Sequence, residues 1–252
     1  MNQEVKTLKS VLLMSSSRKG HLGYLEHATD QIHALLKHGK QTILFIPYAG
    51  VTFSYDSYEA MVKPVFESLG YQLKSIHHFA DPIAAVKNAQ VIAVGGGNTF
   101  ALLRRMYDAK IVDLITERVN AGVPYIGWSA GSNVACPSIR TTNDMPIIEP
   151  PSLKSLGLIP FQINPHFISG KPVGHNGESR EERLAEFLCI NPTEELVALP
   201  EGTALLVNDD TAMILGEFDA LHLKQAVDNK EVVEKLITGK SFKLSMIKGV
   251  FN

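Results

Sequence analysis

Cysteine is scarce in this sequence, and its scarcity excludes two classes of protein. Only Cys136 and Cys189 occur among 252 residues. Two are too few for the disulfide framework of a small secreted protein, and these two lack metal-site spacing. We expect both thiols to be buried and without a chemical role. No H-E-x-x-H run or other carboxylate/histidine group at ligand spacing is present, so we expect neither a metal ion nor a cofactor.

An excess of charge of either sign is also missing. The 24 basic and 26 acidic residues are mixed along the chain and give a formal net charge of -2. No basic patch therefore points to nucleic acid or to an anionic membrane surface. The polar N-terminal residues and the lack of a long apolar run argue against a signal peptide and a membrane span. We expect a cytoplasmic protein, monomeric or homodimeric, that binds small molecules or peptides.

The chain alternates short apolar runs with helical stripes. No linker or internal repeat divides it, and 45% of its residues are apolar, so we expect one domain over residues 1–252. Continuous apolar runs are typical of strands buried on both faces of a parallel sheet. They are Val11–Met14, Ile43–Ile46 and Val91–Val94. The stripes between and after them cover Leu25 to Leu36, Tyr58 to Leu69, Ile83 to Ala89 and Leu102 to Met106.

Local signals set several helix boundaries. Gly39 is predicted to end the first helix, and Pro64 should kink the second or delay its start. Asp81 before a proline supplies an N-cap for the third helix, and Thr99 begins the fourth. This order predicts a doubly wound α/β fold with a mostly parallel sheet and helices on both faces. Ligands bind such sheets beyond the carboxyl ends of the strands.

Two strand ends carry residues suited to catalysis. The run Gly95-Gly96-Gly97-Asn98 follows one strand, and three glycines let backbone amides approach a ligand. The run Gly127-Trp128-Ser129-Ala130-Gly131 follows another and matches G-x-S-x-G, in which a strained turn exposes the serine. We predict that Ser129 is a nucleophile and that the amides of Ala130 and Gly97 form an oxyanion hole.

A nucleophilic serine needs a base, and His166 is the strongest of nine histidines. It follows a short apolar element, and Pro165 restricts the approach of the chain. The other eight are predicted to be bystanders on helix faces, at a strand end or in loops: His21, His27, His33, His38, His77, His78, His175 and His222.

The acid that orients the imidazole has two candidates. Glu201 follows the strand-like run Leu196–Leu199 and should project at the ligand edge of the sheet. Asp144 lies in a polar loop, where capping a turn is the default role. Glu201 is favoured, and Asp144 stays open as the alternative.

Six segments closely resemble the peptidase E family, the α-aspartyl dipeptidases of serine peptidase family S51. The resemblance extends from about Leu13 to Gly202 and is not recognisable from Val207 onward. Ser132 departs from it, since the family often has alanine there. The segments are Val94–Phe100, Tyr125–Gly131, Ile139–Pro146, Gln162–Phe167, Gly177–Arg180 and Leu199–Gly202.

The resemblance implies a cytoplasmic serine dipeptidase that cleaves dipeptides with N-terminal aspartate, on a fold related to class I glutamine amidotransferases. It implies Ser129 as nucleophile, His166 as base and Glu201 or Asp144 as acid, with Gly97 and Ala130 as oxyanion donors. It also marks the segment of Arg180 as substrate-binding.

An aspartyl side chain in a partly dry pocket requires a cation, and a guanidinium holds a carboxylate with two parallel hydrogen bonds. Arg180 is the first candidate, although it could instead pair with Glu178, Glu181 or Glu182 on the surface. Arg140 is the second candidate. Asn98, at the end of the glycine run, is a further residue predicted to contact the substrate.

Rival functions remain open. A glutamine amidotransferase needs a cysteine where Ser129 stands, and in an α/β-hydrolase esterase the histidine follows much later in the chain than His166 does. A cyanophycinase-like enzyme that cleaves β-linked aspartyl residues belongs to the same wider group. A protein that binds an acidic metabolite without turnover, through the glycine run and Arg180, is the alternative that is not an enzyme.

Overall fold

Hydrogen bonding among buried apolar strands determines the architecture of the protein. The computed structural model describes residues 9–36, 41–171, 173–174, 176–225 and 231–247. The predicted helix end at Gly39 lies outside these residues. The described strands are β1 Ser10–Met14, β2 Thr42–Ile46, β3 Gln72–Ser75, β4 Val91–Val94, β5 Tyr125–Trp128, β6 Gln162–Phe167, β7 Leu196–Pro200, β8 Ala204–Asn208, β9 Thr211–Leu215, β10 Ala220–Gln225, β11 Glu231–Leu236 and β12 Ser241–Lys243.

Helices follow most strands of the N-terminal two thirds. They are α1 Thr29–Leu36, α2 Tyr55–Ser68, α3 Pro82–Lys87, α4 Thr99–Asp108, α5 Val112–Asn120, α6 Ala130–Asn133 and α7 Arg180–Ile190. Short 3-10 turns precede α1 at Glu26–Ala28 and follow β3 at Ile76–His78.

The main sheet has eight strands in the order β12-β9-β8-β1-β5-β4-β2-β3. The five strands from β1 to β3 in this order pair in parallel, whereas β8, β9 and β12 continue the sheet in antiparallel pairs. The parallel part places the carboxyl ends of β1, β4 and β5 at one edge, where the catalytic motifs follow. The predicted α/β fold with a mostly parallel sheet is confirmed.

A second sheet, which the sequence did not predict, supplies the other wall of the site. Its order is β11-β10-β7-β6, with β6 and β7 parallel and the other pairs antiparallel. The pairing of β6 with β7 shifts register between Asn164 and Phe167. This irregularity marks a bulge, which redirects a side chain at the end of a strand.

Helix boundaries follow the local chemistry in most places. Asp81 accepts hydrogen bonds from the amides of Ile83 and Ala84, so the predicted N-cap is confirmed. The α2 helix begins after Ser54, whose side chain caps it, and runs through Pro64. The proline therefore does not delay the helix start, because capping and burial of one face outweigh the lost hydrogen bond.

The sheet is covered on both faces by apolar clusters, and almost every side chain of β1, β2, β4 and β5 is buried. Cys136 lies in this core, where burial raises the pKa of its thiol to about 12. Cys189 is exposed, so the prediction that both thiols are buried is wrong for it. Its position on the outer face of α7 explains the difference. Within the described residues, no helix has both the length and the apolar character needed to cross a membrane.

Candidate active site

Ser129 lies in a strained turn between a strand and a helix. Its backbone has φ 53° and ψ -113°, a left-handed conformation that costs a non-glycine residue of the order of 1–3 kcal/mol. The turn persists because its backbone is bonded on both sides. The Ser129 amide donates to the Met14 carbonyl at 3.0 Å, and the Ser129 carbonyl accepts from the amides of Ser132 and Asn133.

The two flanking glycines are required for steric reasons. A Cβ atom on Gly131 would lie 2.1 Å from the carbonyl oxygen of Val94 in β4, and one on Gly127 would lie 2.5 Å from the carbonyl oxygen of Gly131. Both distances are far below a van der Waals contact. The close packing of α6 on the strand ends, which keeps the Ser129 hydroxyl in the open, therefore depends on the absence of these side chains.

His166 faces Ser129 from the second sheet. It also has a positive φ, 54°, and lies at the register shift between β6 and β7. Its backbone amide donates to the Ser15 hydroxyl at 2.8 Å. In this position the imidazole Nε2 is 3.0 Å from Ser129 Oγ, which is hydrogen-bonding distance for a general base.

Glu201 completes the line of contacts. It follows β7 directly, and its Oε1 lies 2.6 Å from His166 Nδ1. The side chains of His166 and Glu201 are 37% and 53% exposed, so water screens their electrostatic attraction. The contact therefore serves to orient the ring and to select its tautomer more than to stabilise the fold.

Asp144 lies elsewhere. Its Oδ2 accepts hydrogen bonds from the Thr99 amide at 2.7 Å and from the Thr99 hydroxyl at 2.5 Å. It therefore binds the first residue of α4, where a carboxylate satisfies a free amide and interacts favourably with the helix dipole. Of the two acids left open by the sequence, the structure brings Glu201 against His166, and Asp144 anchors a helix.

The glycine run lies beside the nucleophile. A Cβ atom on Gly96 would be 3.0 Å from Ser129 Cβ, and one on Gly97 would be 2.3 Å from the Ala49 carbonyl oxygen. Gly97 has φ 133°, which favours glycine. Across the described residues, no hydrogen bond from the Gly97 or Ala130 amide to another protein group is found. The two predicted oxyanion donors are therefore unpaired in this part of the chain.

Two residues predicted to contact the substrate have partners within the protein. The Asn98 side chain caps α4 by accepting from the Ala101 amide at 3.0 Å, and it donates to the Met145 carbonyl at 2.9 Å. Arg140 contacts the buried carboxylate of Glu194, together with Asn191 and Ser138. Both side chains are engaged in local structure, because a helix start and a buried carboxylate each require a partner.

Arg180 is differently placed. It is the first residue of α7 and is half-buried. Burial and the charge of Arg183 lower the pKa of its guanidinium, and the carboxylate of Asp144 opposes this change. In the described parts of the chain, the guanidinium has no hydrogen-bonded partner. The three glutamates predicted as alternative partners of Arg180 on the surface have other partners. Glu182 forms the capping box of α7, Glu181 binds Ser169 and Gly170, and Glu178 pairs with Arg183.

Four of the remaining described histidines have polar contacts away from Ser129. His33 contacts Tyr71, His77 contacts Ser75 and Asp56, His78 contacts Glu59, and His222 contacts Glu195. His27 is partly buried, and His21 is exposed. His38 and His175 lie outside the described residues.

Sequence reasoning missed one residue that helps to build the site. Ser15 is fully buried at the end of β1, where its hydroxyl donates to the Leu199 carbonyl at 2.8 Å and accepts from the His166 amide. It thereby joins the two sheets behind the imidazole. The sequence shows that Ser15 is a polar residue directly after a buried strand, which is a signal for a role at the sheet edge. It does not show the partners of Ser15, which are more than 150 residues away in the chain.

Comparisons with known proteins identify relatives of this chain. The model of peptidase family S51 matches residues 11–215. A peptidase E of Pasteurella multocida (strain Pm70) is 52% identical over 215 residues, which are 85% of this chain and 92% of that protein. A peptidase E of Haemophilus influenzae (strain PittGG) is 52% identical over 211 residues, 83% of this chain and 90% of that protein.

A solved structure also shares the fold. The crystal structure of a peptidase from an acI-B1 Actinobacterium aligns with a TM-score of 0.66 and 21% identity, over 94% of this chain and 98% of that one. At that identity the likeness concerns the fold alone. The family model and the relatives confirm the resemblance read from the motifs, and the chain belongs to peptidase family S51.

Proposed function

We propose that this protein is a serine dipeptidase that hydrolyses dipeptides with an N-terminal aspartate, using Ser129, His166 and Glu201 as its triad. The observation that carries the proposal is the continuous line of contacts from Ser129 Oγ through the imidazole to Glu201, with distances of 3.0 Å and 2.6 Å. The relatives that cover most of the chain bear the name peptidase E, which supports the same activity.

The reaction begins with proton transfer. His166 Nε2 takes the proton of the Ser129 hydroxyl as its oxygen attacks the carbonyl carbon of the aspartyl residue. Glu201 accepts a hydrogen bond from Nδ1, which leaves Nε2 as the basic nitrogen and stabilises the imidazolium that forms. The amides of Gly97 and Ala130 donate to the developing oxyanion.

The tetrahedral intermediate then collapses. The imidazolium gives its proton to the leaving amine, the peptide bond breaks, and an aspartyl ester on Ser129 remains. A water molecule, deprotonated by His166, attacks this ester through a second tetrahedral intermediate and releases aspartate. The half-exposed imidazole leaves room for water to reach the ester.

Substrate choice rests on Arg180. A partly buried guanidinium without a hydrogen-bonded partner in the described chain is suited to a carboxylate, because it offers parallel donors in a fixed plane. Asp144 lies near enough to interact electrostatically with Arg180 and is itself fixed to α4 beside the glycine run. The positive charge of Arg180 therefore favours an acidic side chain at the N-terminal residue of the substrate, and the negative charge of Asp144 weakens this preference.

We also propose that the protein works in the cytoplasm. Both thiols are free, and Cys189 is exposed, a state that a reducing compartment maintains.

The Ser129→Ala substitution removes the nucleophile, and we expect kcat for Asp-Leu to fall by more than roughly 10⁴-fold. Ser132→Ala is the matched control. In the described chain its buried hydroxyl donates to the Met14 and Gly127 carbonyls and lies away from the imidazole line, so we expect nearly the wild-type rate. Release of leucine measures both. Retained activity in Ser129→Ala would refute the mechanism, and faster cleavage of β-linked than of α-linked Asp-Leu would refute the substrate assignment.

Exchanging each acid for its amide separates their roles. Glu201→Gln keeps the size of the side chain but no longer holds the correct imidazole tautomer, so we expect kcat to fall by about 10²- to 10⁴-fold. Asp144→Asn retains an acceptor for Thr99, and we expect a loss below about tenfold with a small decrease in stability. Steady-state kinetics and urea unfolding provide the two readouts. The reverse ranking in kcat would make Asp144 the acid of the triad.

Arg180→Ala tests substrate recognition. Loss of a bidentate contact to carboxylate costs about 3 kcal/mol, so kcat/KM for Asp-Leu should fall by roughly 100-fold while that for Asn-Leu changes little. Arg183→Ala is the control, since that side chain is 57% exposed and pairs with Glu178. Equal losses for the charged and neutral substrates would show that Arg180 acts on folding and not on recognition.

A further inference from the structure

A cluster of histidine and carboxylate side chains lies away from the proposed triad. Asp56 and Glu59 are one turn apart at the start of α2, and His77 and His78 are adjacent in the 3-10 turn after β3. One possible ligand atom from each side chain lies within 4.8 Å of the others. Two imidazoles and two carboxylates form a donor set that Zn²⁺ commonly binds.

The four side chains of the cluster form two histidine–carboxylate pairs whose spacing is close to that of zinc ligands. His77 Nε2 is 2.9 Å from Asp56 Oδ1, and His78 Nε2 is 2.5 Å from Glu59 Oε2. In tetrahedral zinc sites, with metal bonds of about 2.0–2.2 Å, ligand atoms lie roughly 3.4 Å apart. Small side-chain rotations therefore suffice to admit an ion between the two histidine–carboxylate pairs.

A buried serine orients one of the imidazoles. Ser75 Oγ contacts His77 Nδ1 at 2.7 Å, and Ser75 is fully buried. Metal-binding histidines characteristically use their second nitrogen in this way, which directs the first toward the ion. His77 and Glu59 are only 17% and 12% exposed, whereas His78 is 52% exposed. One side of the cluster is thus held by the fold, and the other is open to solvent.

We propose that Asp56, Glu59, His77 and His78 bind a single Zn²⁺ ion. With neutral imidazoles the four side chains carry two negative charges, which a divalent cation neutralises. The ion would join the first turn of α2 to the end of β3 and stabilise this edge of the sheet. No step of the proposed hydrolysis uses it.

Isothermal titration with ZnCl₂ tests this site. We expect one tight equivalent for the intact protein, at least about tenfold weaker binding for His78→Ala and for Glu59→Gln, and unchanged binding for the exposed control His21→Ala. Zinc should also raise the melting temperature of the wild type but not of His78→Ala. Absence of a tight equivalent, or one that survives both ligand substitutions, would overturn the proposal.

A second, independent inference concerns a buried hydroxyl network behind the glycine run. The Tyr58 hydroxyl donates to the Gly96 carbonyl at 2.9 Å, and Tyr58 is 2% exposed. Tyr24 donates to the Tyr58 hydroxyl at 3.0 Å, and Trp128 Nε1 lies 2.8 Å and 3.2 Å from the Tyr24 and Tyr58 oxygens. Burial and the adjacent Tyr24 raise the pKa of Tyr58 well above its usual value, so it remains a donor.

Peptide geometry connects this network to catalysis. The Gly96 carbonyl and the Gly97 amide belong to one planar trans peptide, in which the C=O and N–H bonds point in opposite directions. Holding the carbonyl toward Tyr58 therefore directs the Gly97 N–H to the other side of the chain. A glycine run without side chains could otherwise rotate this peptide at little cost.

On the basis of the proposed function, we propose that Tyr58 is a positioning residue that orients the Gly97 amide toward the oxyanion. Removing a whole oxyanion donor costs about 10²- to 10³-fold in kcat. Loosening one donor should cost less and should affect the transition state more than the bound substrate.

The Tyr58→Phe substitution keeps the ring and removes the hydroxyl. We expect kcat for Asp-Leu to fall by at least about tenfold with KM nearly constant, and an aspartyl aldehyde inhibitor, whose adduct carries the oxyanion, to bind correspondingly more weakly. Tyr24→Phe is the matched control, since it leaves the Tyr58–Gly96 bond in place and should retain most of kcat. Circular dichroism measures the folded fraction of each variant, and each rate is normalised to it.

The outcomes of these experiments distinguish the proposed function from the positioning role of Tyr58. If the wild type fails to cleave Asp-Leu, or Ser129→Ala cleaves it at the normal rate, the proposed function fails. If the wild type is active and Tyr58→Phe matches it, or both tyrosine variants lose kcat equally, the positioning role of Tyr58 is overturned and the function stands.

Discussion

The end of strand β1 fixes both the nucleophile and the histidine that faces it. The Met14 carbonyl accepts the Ser129 amide and contacts the Ser132 hydroxyl, while the next residue, Ser15, binds the His166 amide and the Leu199 carbonyl. Two neighbouring residues thus set the position of groups that approach from different sheets. Met14, Ser15 and Leu199 are fully buried, so a polar group there that lost its last partner would cost about 1–3 kcal/mol.

Backbone strain is concentrated where the two sheets meet. Ser129 and His166 both have positive φ values, which are uncommon for residues other than glycine. The surrounding structure compensates for the cost of this strain. Around Ser129, the absence of side chains on Gly127 and Gly131 permits close packing, and around His166 the register shift of β6 accommodates the turn. The result is a serine and an imidazole that face each other without needing to reorganise first.

The polar residues around the site divide into two groups. Asp144, Asn98 and Arg140 satisfy helix ends and a buried carboxylate, so they support the walls. Gly97, Ala130 and Arg180 retain donors without a hydrogen-bonded partner in the described chain, and the proposed function assigns these donors to the substrate. The first group is engaged because the amides at a helix start and the buried carboxylate of Glu194 each need a partner within the protein.

Local chemistry in the sequence determined the alternation of strands and helices, the Asp81 cap, the Ser129 turn and the glycine run, because each depends on a few neighbouring residues. His166 and Glu201 lie near strand ends, as the sequence predicted, but their contact depends on the tertiary structure. The chemical roles of His166 and Glu201 stay predictions, and so does the single domain over residues 1–252.

Only the tertiary structure decided which carboxylate meets His166, that Asn98 and Arg140 are engaged elsewhere, and that a second sheet carries the imidazole. It also assembled the cluster of Asp56, Glu59, His77 and His78, whose members come from two segments about twenty residues apart and show no ligand spacing in the sequence. The physical reason is the same in each case. A short segment encodes its own turns and caps, but a partner across the fold is fixed by the pairing and packing of all the strands together.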